Sequence, residues 1–332
     1  MKRYAVAHSL TFLALFIAFI ATAEAGVYKC LDAQKRVFYR DTPCQELTTA
    51  TLPGHLSQLR GEAEARHFLW KASSGKGTAY LLGSVHFGAP DMYPLPARIM
   101  DAYNAADVLV VEANVENAAG ETAQKLATAG TYADGSKLEN HVKPATWQKA
   151  TDAAKKFGLS EEALSTQKPW MGALTLTSLA LKSAGYDQSL GVDQSFIREN
   201  GAKKPVLEME SVDQQIKLFD EFSPQEQEQM LLQTVQDIGR GPDLFKQIVD
   251  AWKRGDADAM DIVVRQSFDS GDTGRKLFKV LFSDRNIAMS NKIDELLGDG
   301  RTYFIVLGAG HLGGEQGILR QLEQKGYTVS QP

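Results

Sequence analysis

At 332 residues the chain is longer than one average domain but does not require three, and its composition, 43% hydrophobic with 23% charged, supplies enough apolar material for a sizeable core. The 36 Lys and Arg against 41 Asp and Glu leave a formal net charge of −5. With no long basic stretch, this balance argues against nucleic acid as the main partner, because phosphate binding needs clustered cations.

Residues 1–25 read as a targeting segment. Lys2 and Arg3 precede an apolar run from Leu10 to Ile20, and "ATAEAG" offers a small-x-small cleavage site ending at Ala25. The alternative is an uncleaved membrane anchor. No later apolar run is long enough to span a bilayer, so no membrane span is expected after cleavage.

Residues 26–46 predict a β-hairpin. Val27 and Tyr28, then Val37, Phe38 and Tyr39, are strand formers on either side of a polar turn at Asp32–Lys35. Cys30 and Cys44 are the chain's two cysteines. Export and an even count predict one disulfide between them; two free thiols or half a metal site are the alternatives. The stretch resembles a small domain of unknown function found after signal peptides in secreted bacterial proteins, with the pattern Tyr-Lys-Cys, turn, aromatic strand, Asp-Thr-Pro-Cys. That resemblance implies a periplasmic or secreted location. Residues 47–65 are polar, contain Pro53 and Gly54, and read as a linker.

From residue 66 to 332 the pattern is that of an α/β domain. "HFLWKAS" and "TAYLLGSVHFG", separated by "SGKG", predict a second hairpin. "ADVLVVEAN" (Ala106–Asn114) is a buried-type strand ending in a carboxylate. Residues 115–200 are mostly helical, punctuated by Pro144, Pro169 and Gly185. "KKPVLEMES" (Lys203–Ser211) is a further strand, and residues 212–295 return to helical periodicity. "TYFIVLGAGHLGG" is a strand, followed by a helix from about Glu315 and a short final "YTVS". The alternation implies a sheet core with a large helical insertion, a cap, between its halves.

Four strand ends carry a group able to do chemistry: His86, Glu112, Glu210 and His311. Functional groups of α/β sheets gather at the carboxyl ends of strands. Both histidines stand in the same Gly-x-x-His context, "YLLGSVHFG" and "IVLGAGHLG". Gly83 and Gly308 would let each strand break so that both rings enter one cleft. Two imidazoles with carboxylates can hold a divalent metal that acidifies water, or a His/Glu pair can activate water directly. No short-range metal signature is present. His55, His67 and His141 lack such a context and read as structural or surface residues. Gly313-Gly314 reads as a helix-start turn rather than a phosphate cradle.

These motifs resemble the TraB/PrgY/GumN family, which includes the TIKI-type metalloproteases. The shared points, over about residues 66–330, are "LLGSVHFG" with Pro94 beyond it, "VVEAN", "KPW" at Lys168–Trp170, "GVDQSF" at Gly191–Phe196, "KKPVLEMES", "DRN" at Asp284–Asn286 and "LGAGHLGG". The resemblance implies a fold similar to erythromycin-esterase-like and haem-binding ChaN-like proteins. Its TIKI-type members imply metal-dependent hydrolysis of a peptide or protein substrate, with manganese, cobalt or zinc held by His86, Glu112, Glu210 and His311. Glu210, rather than Glu208, takes the family's place after the strand, with Met209 where Leu is usual. Arg285 fits the family's Arg-Asn pair, suited to orienting a carboxylate or binding an anionic substrate group. Asp193 fits the Gly-Val-Asp position and reads as a structural cap. Met289 stands where an aromatic is common. A metal-dependent peptidase is thus the first expectation. The others are a metal-free esterase-like hydrolase and a binding protein for a peptide or for haem, ligated through His, Met or Tyr. A homo-oligomer is compatible with each.

Overall fold

The computed structural model describes residues 28–31, 37–40 and 67–332, apart from 115–118, 239–240 and 269–270. The expected leader, the linker and Cys44 lie outside the described residues, and the Cys30–Cys44 bridge with them. Tyr28–Leu31 (β1) and Val37–Arg40 (β2) pair antiparallel, with Tyr28 opposite Arg40, where the sequence places a hairpin.

Six further strands build one sheet in the order β6-β5-β7-β4-β3-β8. They are β3 (Leu69–Ser73), β4 (Thr78–Ser84), β5 (Val108–Val111), β6 (Val206–Glu208), β7 (Thr302–Gly308) and β8 (Thr328–Ser330). β3 and β4 form the expected second hairpin, closing at Ser73 opposite Thr78. β4, β7, β5 and β6 run parallel, so their carboxyl ends share one edge. The three central strands are apolar runs because both their faces are covered. All four residues of β5 are buried, and β7 is buried from Tyr303 onward.

Helices fill the connections. α1 (Ala97–Ala105) links β4 to β5. Between β5 and β6 run α2 (Ala119–Ala129), α3 (Pro144–Lys156), α4 (Glu161–Ser165), α5 (Pro169–Ser183) and α6 (Val192–Asn200). Pro144 and Pro169 each open a helix, where a missing N–H costs nothing. Between β6 and β7 run α7 (Val212–Asp220), α8 (Pro224–Asp237), α9 (Gly241–Lys253), α10 (Ala257–Gln266), α11 (Gly271–Phe278) and α12 (Asp284–Leu297). A π turn, Lys279–Ser283, joins the last two. The helical material is therefore two blocks on either side of the short edge strand β6, not one insertion. The last helix, α13 (Ile318–Gln324), starts three residues later than expected. Gly313 and Gly314 do not start it. They let the chain pass close to α10, where a side chain at either position would run into Ala257 or Asp261.

The connection after β5 leads outward to β6, whereas the chain after β7 leads to β8 on the far side of the sheet. Such a reversal opens a crevice beyond the strand ends. An aromatic cluster packs beneath it. The rings of Tyr103, Phe196 and Phe304 lie 4.8–5.6 Å apart and seat α1 and α6 on β7.

Candidate functional site

His86 follows β4, Glu112 follows β5, Glu210 follows β6 and His311 lies in the turn after β7. The parallel register brings all four to one edge. The β5–β6 ladder runs past its strands, with Met209 N–H donating to the Val111 carbonyl and Glu210 N–H to that of Glu112, both at 2.8 Å. That extension sets Glu210 beside Glu112 and leaves Glu208 within the strand. On the other side, Lys292 Nζ donates to the carbonyls of Glu208 and Met209 at 2.7 and 3.2 Å, which anchors α12 across the end of β6.

From α12, Arg285 enters the cluster and binds most of it. Its Nη2 reaches Glu112 Oε1 and Glu210 Oε2, each at 2.6 Å, and its Nε reaches both Glu210 oxygens at 2.9 and 3.0 Å. Nη1 donates to Nε2 of His311 at 3.0 Å and to the Leu281 carbonyl in the π turn at 3.0 Å. A guanidinium only donates, so His311 Nε2 must carry a lone pair. The ring is then neutral with its proton on Nδ1, donated to Asn286 Oδ1 at 2.6 Å. Burial, reinforced by the Arg285 charge, holds His311 down to about 3. Glu112 is buried, which alone would raise its pKa. The charge of Arg285 and the Gly308 N–H, which donates to Oε2 at 2.9 Å, win and hold it down to about 2. Gln215 on α7 completes the ring, with Nε2 3.0 Å from Glu112 Oε1.

His86 has a different partner. Its Nδ1 lies 3.2 Å from Asp193 Oδ2, while Asp193 Oδ1 accepts from the Ser84 hydroxyl at 2.9 Å. Asp193 is therefore not the helix cap the sequence suggested. Gly191 occupies the cap position of α6, without a side-chain bond, and Asp193 turns its carboxylate onto the imidazole. Two backbone contacts hold the pair together: Val192 N–H donates to the Val85 carbonyl at 3.0 Å, and Gly88 and Asp187 exchange bonds of 2.8 and 2.9 Å. Burial depresses the His86 pKa, but the Asp193 charge and hydrogen bond, with the Glu112 charge, raise it to about 9. Asp193 stays below the usual carboxylate range: the imidazolium beside it outweighs its burial.

A cavity of about 140 Å³ opens onto this edge, lined by Ser84, His86, Glu112, Asp193 and Gly308, by Gln188, Gln194 and Gln215, and by apolar side chains of α2, α5 and α7. Glu210, Arg285 and His311 stand behind that wall. His86 keeps 21% of its side-chain surface, whereas His311 has none.

The four residues expected to hold a metal thus meet, but they meet around Arg285. The guanidinium engages Glu112 Oε1, both Glu210 oxygens and His311 Nε2, the lone pairs a divalent cation would need. Among the described residues no group of three or more His, Cys, Asp or Glu is placed to hold a metal ion. This donor set does not fit manganese, cobalt or zinc as arranged.

Asp193, Ser84, Gln215 and Asn286 are site residues that the sequence did not single out as functional. Asp193 stood in "GVDQSF" and Asn286 in "DRN", so those motifs held the signal. His67 and His141 lie away from the cluster. His141 stacks on Tyr132 and bonds Ser136 Oγ at 2.8 Å, a surface role as expected.

The class this defines is a mixed α/β protein with an arginine-centred acid cluster and a His–Asp pair at the carboxyl edge of its parallel strands. By sequence, the profile of the TraB/PrgY/gumN family matches residues 68–331, and the chain belongs to that family. It is 28% identical, over 269 residues, to "Uncharacterized protein YbaP" of Shigella flexneri and equally to that of Escherichia coli K12, covering 80% of this chain and 95% of each relative. No solved structure matches the chain.

Proposed function

We propose that the chain is a hydrolase that cleaves an ester or amide bond with water activated by His86, without passing through a bound metal. One observation carries the reading. An atom placed where a side chain at position 308 would begin lies 3.2 Å from Glu112 Oε2 and 3.6 Å from His86 Nε2. Both atoms therefore overlook the bare Cα of Gly308, and both residues line one cavity, where a water beyond that Cα can touch a base and a carboxylate together. His86 Nε2 takes one proton, Glu112 Oε2 accepts a hydrogen bond from the other, and the hydroxide attacks the carbonyl carbon. The imidazolium, stabilised by Asp193, then gives its proton to the leaving group. Arg285 and Gln215 hold Glu112 in place. The free base of His86 becomes the majority form only above about 9, so the rate rises with pH toward that value.

The test uses the purified full chain with short-chain nitrophenyl esters and with peptides, with and without a chelator. Hydrolysis that survives chelation and falls about 100-fold or more in His86→Ala supports the reading. Activity abolished by the chelator and restored by zinc, manganese or cobalt would select the metal-dependent peptidase instead, and no turnover would overturn both.

A further inference from the structure

Resting on the hydrolase reading for its scissile bond, though not for its binding chemistry, the cavity beside His86 selects what it will hold. Among the described residues lining it, the charges are His86, Asp193 and Glu112, and none carries an unpaired positive charge. An anionic group would meet a net negative wall. A cationic group would face the His86 ring and compete for carboxylates already engaged: Asp193 by Ser84 and His86, and Glu112 by Arg285, Gln215 and the Gly308 N–H. The far wall is apolar, built from Leu126 on α2, Leu174 on α5, and Ile216 and Phe219 on α7. Leu174, Ile216 and Phe219 are buried, and Phe219 is backed by a stack on Trp170 with ring centroids 5.6 Å apart, so this wall is not free to swing away. The volume, about 140 Å³, is that of a site for a benzene-sized guest.

We propose that this cavity is the specificity pocket for an uncharged acyl group of about four to six carbons, branched or aromatic, whose carbonyl lies against His86 and the Gln188 and Gln194 carboxamides. The observations point to a short neutral acyl donor and away from long fatty acyl chains, free carboxylates and amines.

Binding can be read without turnover. Isothermal titration of the full chain at pH 7 with isovaleramide and benzamide should give dissociation constants at least tenfold lower than with acetamide, decanamide, isovalerate or isoamylamine. Leu174→Trp should remove the binding, and Ile216→Ala should shift the preference toward a longer amide, with melting curves to show that both variants fold. If isovalerate or isoamylamine binds as tightly as isovaleramide, if decanamide binds as well as benzamide, or if no amide binds, the pocket assignment fails. Hydrolysis of nitrophenyl isovalerate is measured on the same samples. Selective amide binding without ester or peptide cleavage would sink the hydrolase reading and leave the pocket standing; cleavage with no selectivity would do the reverse.

Discussion

At the scale of single residues, the site rests on two charge arrangements with different chemistry. Arg285 lies between the buried Glu112 and the part-buried Glu210, whose mutual repulsion it cancels, and it does not line the cavity. Replacing it with Met leaves two adjacent carboxylates without their cation, Glu112 still buried. That should cost about 3–5 kcal/mol, read as a lowered denaturation midpoint. Asp193 pairs with His86 and is steadied by the Ser84 hydroxyl. In Asp193→Asn the midpoint of the His86 imidazole resonances should fall from about 9 toward 6.5, and the pH–rate profile should move with it, while the fold persists. An unchanged midpoint would remove Asp193 from the mechanism. Glu112 was legible from the chain because it ends a fully apolar strand. Asp193 was not: its partner Ser84 is 109 positions away, and nothing local distinguishes a helix-start aspartate that caps from one that reaches across.

At the scale of elements, the twin Gly-x-x-His motifs are not twins in the sheet. Their glycines match in sequence, yet the β4–β7 register sets Ser84, not Gly83, opposite Gly308. A one-residue offset turns side chains to opposite faces. Gly83 therefore faces Phe68, whose ring would lie 2.2 Å from an added Cβ, while its carbonyl accepts from Trp252 Nε1 at 2.6 Å. Gly308 faces the site, with an added Cβ 3.2 Å from Glu112 and 3.3 Å from His311. The two alanine variants should thus fail differently. Gly83→Ala should lose about 1–3 kcal/mol of stability through overpacking. Gly308→Ala should keep more of its stability and lose hydrolysis, because the methyl stands between Glu112 Oε2 and His86 Nε2 and crowds out the attacking water. Equal activity in wild type and Gly308→Ala would refute the proposed water position.

At the scale of the whole molecule, the two site histidines give the stability curve its shape. His311 binds its proton less readily when folded, near 3, than when unfolded, near 6.5, so stability is lost as pH falls from 6.5 toward 3. His86 binds its proton more tightly when folded, near 9, so its contribution is complete below 6.5 and is lost as pH rises through 9. Glu112 adds to the acid side, contributing above 4.5 and losing that contribution as pH falls through 2. The melting temperature should therefore peak near pH 6.5, and the alkaline limb, roughly 2–4 kcal/mol, should flatten in His86→Ala. Scanning calorimetry between pH 4 and 10 tests this. The start of the chain leads us to expect the protein in the cell envelope. Fractionation of cells producing the full chain should find it there, shortened by about 25 residues.

The sequence by itself determined the strands, their order along the chain and the acids and histidines at their ends. Apolar runs, turn residues and helical periodicity are local, and the parallel ladder carries strand ends to one edge without further instruction. Only the tertiary structure decided what those ends do. Whether an acid faces a cation or a cavity depends on register and on which distant helix supplies the partner. Here those long-range choices placed Arg285 among the carboxylates, hid His311, and left His86 with Asp193 at the open wall.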